Sequence, residues 1–161
     1  MRPIAAALLS LLASAAAAQE TEREGDTVSF EVKAGVIFVE ATVNGKGPFT
    51  FIFDTGASVT VLRPQTAKKL GIETQEGGLF AAPSIVKLES FALGKADVKD
   101  LSVAVMMVPQ AELPLAMQGI KYDGLVGYAY ISRFVTTIDY RKKTIGLVPN
   151  DYTPEDPTVP T

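Results

Sequence analysis

A single short segment combines the residue types that acid–base chemistry requires. Asp54 follows the largely apolar run 49–53, and Gly56 comes two positions later. An apolar strand would place this carboxylate at the end of a rigid element, and the glycine would allow a tight turn directly after it. The chain contains no histidine and no cysteine. Catalysis by an imidazole base or a thiol nucleophile is therefore excluded, and a carboxylate is the most plausible catalytic group.

A second segment of interest, Tyr-Asp-Gly-Leu-Val-Gly-Tyr-Ala, occupies residues 122–129. Its two apolar residues before Gly127 predict a short strand that ends in a corner, where neighbouring backbone approaches closely. Each segment alone is a weak signal, because Asp-Thr-Gly also forms ordinary turns and apolar residues before a glycine are common in cores.

Signals for nucleotide and metal binding are incomplete. Residues 119–124 have the glycine spacing of a phosphate-binding loop, but Leu125 stands where that loop needs a lysine. The chain has no GxGxxG motif and no EF-hand spacing. A metal site made of carboxylates alone stays open, although nothing points to one. The sequence therefore predicts no cofactor.

The elements that must position Asp54 are short strands. Alternation and turn residues predict strands over 28–32, 36–43, 49–53, 59–62, 101–108, 136–140 and 144–148. A short helix is predicted from Pro64 to Leu70, with Gly71 ending it, and a hairpin from Thr74 to Leu88. Residues 109–119 read as a loop with at most a helical turn, and 130–134 as a short helix. This pattern predicts an all-β, closed, mostly antiparallel barrel with one or two short helices.

The N-terminus has the pattern of a secretory signal peptide at residues 1–18. Arg2 precedes the apolar run 4–18, which ends in Ala16-Ala17-Ala18. We expect cleavage after Ala18 and a periplasmic or secreted protein. The alternative is an uncleaved anchor, but the run is shorter than the roughly 20 residues that span a bilayer.

The 161-residue length suits one domain, and its 47% hydrophobic and 20% charged residues indicate a globular chain. We assign residues 19–26 to a polar arm, 27–149 to the domain and 150–161 to a disordered proline-rich tail. A net charge of −3 gives no reason to expect nucleic-acid binding.

Together the two segments resemble the aspartic proteases. Asp54-Thr55-Gly56-Ala57-Ser58 matches their catalytic motif, and residues 123–127 look like the corresponding segment of a pepsin lobe. With the ending 133–140, the chain resembles the single-lobe, retropepsin-like enzymes of bacteria over about residues 34–148. The resemblance implies an acid-protease barrel with one lobe per chain and an endopeptidase activity without a metal.

The resemblance also implies a partner. Peptide hydrolysis by carboxylates needs two of them sharing one proton, and this chain has one Asp-Thr-Gly. The family mechanism would therefore require a homodimer in which Asp54 meets its own copy. Thr55 would hydrogen-bond across the dimer, Gly56 would let backbone N–H groups reach the carboxylates, and Ser58 would bond an outer carboxylate oxygen. For each neighbour the alternative is a turn residue with a local hydrogen bond.

Other residues take expected roles from the same resemblance. Asp123, Gly124 and Gly127 are expected to be structural, so that Asp123 is not the second catalytic carboxylate. The hairpin tip falls where the family carries its substrate-covering flap, and an ordinary surface loop is the alternative. The residues expected there to cover or line the cleft are Gly77, Gly78, Leu79, Phe80 and Ile85.

One position departs from the family pattern, and two further functions stay open. Retroviral enzymes follow the second motif with an arginine that ties the dimer together, whereas Tyr128 stands there in this chain.

The same fold could instead bind exported peptides or cell-envelope proteins without cleaving them. A third possibility is an enzyme active only on itself or on one partner, with 19–26 as the segment it removes.

Overall fold

The computed structural model of the protein describes residues 25–74 and 82–150. This part contains nine strands and three short helices. In chain order they are β1 (Asp26–Lys33), β2 (Val36–Val43), β3 (Lys46–Phe53), β4 (Val61–Leu62), α1 (Pro64–Leu70), β5 (Ser84–Leu93), β6 (Ala96–Val105), α2 (Pro109–Met117), β7 (Gly124–Val126), α3 (Tyr128–Ile131), β8 (Phe134–Asp139) and β9 (Thr144–Pro149). The predicted signal peptide, most of the polar arm and nearly all of the predicted tail lie outside the described residues.

Six of the strands close into a barrel, as the sequence predicted. Going round the ring, β2 pairs with β3, β3 with β7, β7 with β4, β4 with β6, β6 with β5, and β5 with β2 again. The β3–β7 and β4–β6 pairs are parallel, and the other four are antiparallel. The closed ring leaves none of its own edges unpaired, which removes the aggregation hazard of an open sheet.

The remaining strands extend the sheet beyond the barrel. β1 pairs with β2 through its second half and with β9 through its first half, and β9 pairs with β8. β1 begins at Asp26, one residue before the predicted start of the domain, because Asp26 already pairs with Leu147.

The main core lies inside the barrel. Alternate residues of β2, from Ile37 to Val43, are buried there, as the two-residue period of a strand requires. A chain of rings runs through this core: Phe51 lies 5.0 Å from Phe91, Phe91 lies 5.2 Å from Tyr130, and Tyr130 lies 5.1 Å from Phe134, measured between ring centroids. Burial of each such ring stabilises the fold by about 1.5–3 kcal/mol.

A second, smaller core lies on the outer side of the barrel wall. Leu115 of α2 packs in it with Ile52, Leu125 and Tyr122. Helix α2 therefore covers the outside of the strands that lead to Asp54.

Helix α1 confirms the prediction, and the other two helices correct it. Pro64 opens α1, and Gly71 ends it with a left-handed conformation at φ 77°. Residues 109–117 form a true helix rather than a loop, even though Pro114 lies inside it. Helix α3 begins at Tyr128, two residues earlier than predicted, and the described residues thus hold three helices rather than one or two. No helix in the described ranges is long and apolar enough to cross a membrane.

The predicted strand pattern between Thr74 and Val108 is partly wrong. Residues 84–93 form one strand, β5, and its hairpin partner is β6, with the turn at Gly94-Lys95. The strand predicted for 101–108 runs instead from Ala96 to Val105. The hairpin predicted for 74–88 has its tip at 76–78, which lies outside the described residues. The fourth strand is also shorter than predicted, because residues 57–60 belong to the loop after Asp54.

Candidate active site

Asp54 lies where β3 leaves the barrel wall. β3 runs parallel to β7, with Phe53 opposite Val126, and the backbone N–H of Asp54 donates to the carbonyl oxygen of Val126 at 3.0 Å. Asp54 is half-buried. The sheet therefore fixes the backbone of Asp54, while its carboxylate still reaches the surface.

A tight turn follows Asp54 and engages its carboxylate. The N–H of Gly56 donates to Oδ1 of Asp54 at 2.8 Å, and the N–H of Ala57 donates to the Asp54 carbonyl oxygen at 3.4 Å. A Cβ atom added at Gly56 would lie 3.3 Å from Oδ1, which is a tight contact. Thr55 and Ser58 are exposed in the same loop. Their expected bonds across a dimer and to an outer carboxylate oxygen stay predictions.

The structure brings the second motif directly against this loop. The N–H of Tyr128 donates to the carbonyl oxygen of Ala57 at 2.7 Å, and the N–H of Gly127 donates to Oγ1 of Thr60 at 3.2 Å. With the bond from Asp54 to Val126, three consecutive residues of the corner at 126–128 each hold the loop at 54–60. The loop and this corner thus form one hydrogen-bonded unit.

The two glycines of the second motif lie where no side chain fits. A Cβ at Gly124 would stand 2.2 Å from the carbonyl oxygen of Val61 and 2.3 Å from the Phe51 ring. A Cβ at Gly127 would stand 2.1 Å from the carbonyl oxygen of Val59. Such distances are shorter than real Cβ contacts. A side chain at Gly127 would displace the loop that carries Asp54, and one at Gly124 would push against β4 and the Phe51 ring.

Asp123 lies at the opposite end of the β3–β7 pair from Asp54. The N–H of Asp123 donates to the Thr50 carbonyl oxygen at 2.7 Å, whereas Asp54 comes four residues later along β3. At ~3.3 Å per strand residue this separates the two backbones by roughly 13 Å. The two carboxylates of one chain therefore do not share a site.

The carboxylate of Asp123 is engaged by its own neighbours. Oδ2 accepts the N–H of Thr50 at 3.0 Å, Oδ1 accepts the hydroxyl of Thr66 at 3.0 Å, and the Lys69 ammonium lies 3.7 Å from Oδ1. Asp123 thus joins β3, helix α1 and the start of β7. The structural role expected of Asp123 stays a prediction, and these contacts support it.

Three residues around these motifs were missed by sequence reasoning. Thr60 and Thr66 are both 1% exposed, with hydroxyls bonded to the second motif. The guanidinium of Arg63 donates to the Tyr122 carbonyl oxygen at 3.0 Å and lies 4.7 Å from the centre of the Tyr122 ring. For Thr60 the sequence offered one signal: a threonine between two valines in a predicted apolar strand. A buried hydroxyl there would need a hydrogen-bond partner.

Of the predicted flap residues, the structure describes only Ile85. It lies on β5 opposite Ala104, with 46% of its surface exposed, and it lines a surface pocket with Glu73, Thr74, Pro83, Ser84 and Val86. Gly77, Gly78, Leu79 and Phe80 lie outside the described residues, so the flap stays a prediction.

Within the described ranges, no group of three or more acidic residues is placed to hold a metal ion. At Asp54 the structure presents a partly exposed carboxylate in a fixed backbone frame, with a peptide N–H donating to one of its oxygens.

Comparison with known proteins assigns the chain to a family. The model of the aspartyl protease family matches residues 39–130, which include both motifs. The chain belongs to the aspartyl protease family. No curated protein matches it.

Solved structures give the type of aspartyl protease fold. A retropepsin-like aspartic protease from Rickettsia conorii aligns with a TM-score of 0.56 and 22% identity, over 80% of this chain and 94% of that one. The retroviral protease-like domain of Ddi1 from Leishmania major aligns with a TM-score of 0.48 and 16% identity, over 76% of this chain and all of that one. The Rickettsia conorii alignment shows that the fold is retropepsin-like, with one lobe per chain.

This member of the aspartyl protease family departs from the retroviral pattern after its second motif. Tyr128, at the position of the retroviral arginine, is 45% exposed and begins helix α3. Arg133 lies two residues past the end of this helix, and its carbonyl oxygen accepts the N–H of Asn150 at 3.0 Å. Its backbone therefore ties the start of β8 to the end of β9.

Proposed function

We propose that this protein is an aspartic endopeptidase that acts as a homodimer, with Asp54 of each protomer in one shared site. The observation that carries the proposal is the placement of Asp54. It is the motif carboxylate of an aspartyl protease, it is fixed by the sheet through Val126, and it lies roughly 13 Å from Asp123 along the strands. Because one chain supplies only one such carboxylate, a second copy is needed to complete the pair.

The proposed reaction uses the two Asp54 carboxyls as base and acid. One carboxylate accepts a proton from a water molecule, whose oxygen attacks the carbonyl carbon of the scissile peptide. The other, protonated carboxyl donates its proton to the carbonyl oxygen. The tetrahedral diol then collapses: the carboxyl that took the water proton gives it to the peptide nitrogen, and the other carboxylate takes a proton from one diol hydroxyl. The C–N bond breaks, an acid and an amine leave, and the pair again shares one proton. Both copies of the loop at 54–60 would hold these groups in place.

The proposed substrate is an extended polypeptide, bound across the dimer beneath the two flaps. The expected lining residues are apolar, so we propose a preference for apolar side chains beside the cut. We also propose that the protein acts in the periplasm or outside the cell, on the basis of the apolar run at 4–18.

The decisive experiment compares wild type with Asp54→Asn on a library of unstructured peptides from acidic to neutral pH. The amide cannot accept the proton from water, so we expect kcat to fall by about a thousandfold or more. Glu40→Gln is the matched control, because it makes the same change of charge at an exposed position on β2. Equal products from wild type and Asp54→Asn, or no products from either, would rule the protease function out.

A further inference from the structure

Thr60 is a buried polar residue in an apolar stretch of the chain. It is 1% exposed, and it stands between Val59 and Val61. Its hydroxyl oxygen accepts the N–H of Gly127 at 3.2 Å, and its carbonyl oxygen accepts the N–H of Ala104 on β6 at 3.0 Å. The residue therefore links the wall of the barrel to the corner that contains Gly127.

The bond to Gly127 is the middle one of three. On one side, Val126 accepts the N–H of Asp54, and on the other Tyr128 donates to Ala57. The N–H of Gly127 is buried, and leaving it without a partner would cost free energy comparable to a lost hydrogen bond. Because peptide units on both sides of Gly127 bind the Asp54 loop, movement of this N–H toward another acceptor would move that loop.

We propose that Thr60 is a positioning residue for Asp54. Its hydroxyl fixes the corner at 126–128 and thereby fixes the backbone from which the Asp54 carboxylate projects. The proposal rests on the proposed function in one respect, namely that Asp54 is the group that reacts. Thr60 itself lies inside the protein and does not contact substrate.

The structure offers a matched control for this role. Thr66 is equally buried, at 1% exposed, and its hydroxyl also binds one group of the second motif, Oδ1 of Asp123 at 3.0 Å. Asp123 lies at the far end of the β3–β7 pair from Asp54. Loss of either hydroxyl should lower stability, whereas only loss of the Thr60 hydroxyl should disturb Asp54.

The first test is kinetic and compares Thr60→Val, Thr60→Ser and Thr66→Val with wild type. Misplacing a catalytic group by about 1 Å can cost a hundredfold in rate. For Thr60→Val we expect kcat to fall tenfold to a hundredfold, on the order expected from that displacement, with KM nearly unchanged. Thr60→Ser keeps the hydroxyl and should restore most of kcat. Thr66→Val should keep kcat. Equal losses of kcat in Thr60→Val and Thr66→Val, or no loss in Thr60→Val, would overturn the proposal.

The second test does not depend on peptide cleavage. Amide hydrogen exchange, followed residue by residue by NMR, measures how often the Gly127 and Asp54 N–H groups open. In Thr60→Val both amides should exchange about tenfold faster than the change in global stability explains, whereas in Thr66→Val they should follow global stability. If only Gly127 exchanges faster, Thr60 does not position Asp54.

The two tests separate failure of this proposal from failure of the proposed function. If wild type cleaves no peptide, the protease function fails, and the exchange result still decides the role of Thr60. If Thr60→Val does not fold, amide hydrogen exchange in the wild-type protein tests the proposal instead. The Gly127 and Asp54 amides should then open together, with the same dependence on denaturant. Independent opening would overturn the proposal.

Discussion

At the residue scale, the site depends on positions where the backbone of two segments nearly touches. Gly127 is the tightest of these, since a Cβ there would lie 2.1 Å from the Val59 carbonyl oxygen and 2.8 Å from that of Ala57. Both of these atoms are backbone, which cannot move aside as a flexible side chain can. Any substitution at Gly127 must therefore push the Asp54 loop away from β7.

We predict that Gly127→Ala lowers the free energy of unfolding by about 2–4 kcal/mol and abolishes most peptide cleavage, because forced displacement of packed backbone is costly. Chemical denaturation and a peptide assay measure the two effects. Gly146→Ala is the control: Gly146 lies in β9, and the nearest atom to a Cβ there would be 3.8 Å away. If both alanine variants unfold at the same denaturant concentration, close packing at Gly127 is not what requires the glycine.

The sequence predicted the residues whose signal is local and missed those whose partner is distant. Asp54 and Gly56 could be identified because strand, carboxylate and glycine are adjacent in the chain. The bond between Thr60 and Gly127 spans 67 residues, and the one between Thr66 and Asp123 spans 57. No local pattern encodes such pairs, so the need of a buried hydroxyl for a partner was the only guide.

At the element scale, one side chain ties helix α3 to the β5–β6 hairpin. The hydroxyl of Tyr130 accepts the N–H of Leu93 at 3.2 Å and donates to the carbonyl oxygen of Ala96 at 2.5 Å, on either side of the turn. Tyr130 is fully buried, and burial raises the pKa of its phenol, with the carboxylates of Asp97 and Asp26 adding to the effect. The neutral phenol is therefore the form that the folded protein binds.

We predict that Tyr130→Phe costs about 1–3 kcal/mol, because it leaves a buried N–H and a buried carbonyl without their partner. The raised pKa of Tyr130 also determines the direction in which the stability of the protein changes with pH. The unfolded chain ionises this phenol near pH 10 while the folded protein holds it neutral, so wild type loses stability as pH rises above about 10.

The difference in melting temperature between wild type and Tyr130→Phe should accordingly shrink above that pH. Tyr140→Phe, at a tyrosine that is 65% exposed, should match wild type throughout. A difference between wild type and Tyr130→Phe that stays constant up to pH 11 would contradict the proposed cause.

Elements were predictable where their ends carry strong signals. Pro64 and Gly71 bound helix α1, and both ends were predicted correctly. Helix α2 was missed because Pro114 removes a backbone donor, which normally argues for a loop, yet Leu115 anchors the helix in the second core. β5 was predicted wrongly because the hairpin assigned to 74–88 ended at Leu88, whereas the strand continues to Leu93 before the turn at Gly94-Lys95.

At the scale of the whole molecule, the barrel is a complete fold that holds half of the proposed site. Its ring of six strands closes within one chain, and its main core needs no partner. The proposed site differs from the core in this respect, because it needs two motif carboxylates and the chain supplies only Asp54. The sequence could predict this contrast, because the chain contains a single Asp-Thr-Gly.

We predict that Asp54→Asn chains inactivate wild-type chains on mixing. If activity requires two Asp54 residues and protomers exchange freely, each wild-type chain pairs at random. With three mutant chains for each wild-type chain, only about one wild-type chain in four then finds a wild-type partner. Activity per wild-type chain should fall to about one quarter, since a mixed dimer lacks one of the two carboxylates.

The mixing ratio makes this prediction quantitative, and the Glu40→Gln protein provides its control. Added in the same threefold excess, Glu40→Gln should not lower the activity per wild-type chain, because its dimers keep both Asp54 carboxylates. Dilution gives a second check: the rate per chain should fall once the concentration drops below the dissociation constant of the dimer. If neither the addition of Asp54→Asn chains nor dilution changes the activity per wild-type chain, one chain catalyses alone. The second carboxylate would then have to come from within the chain, although the described part of the fold keeps Asp123 away from Asp54.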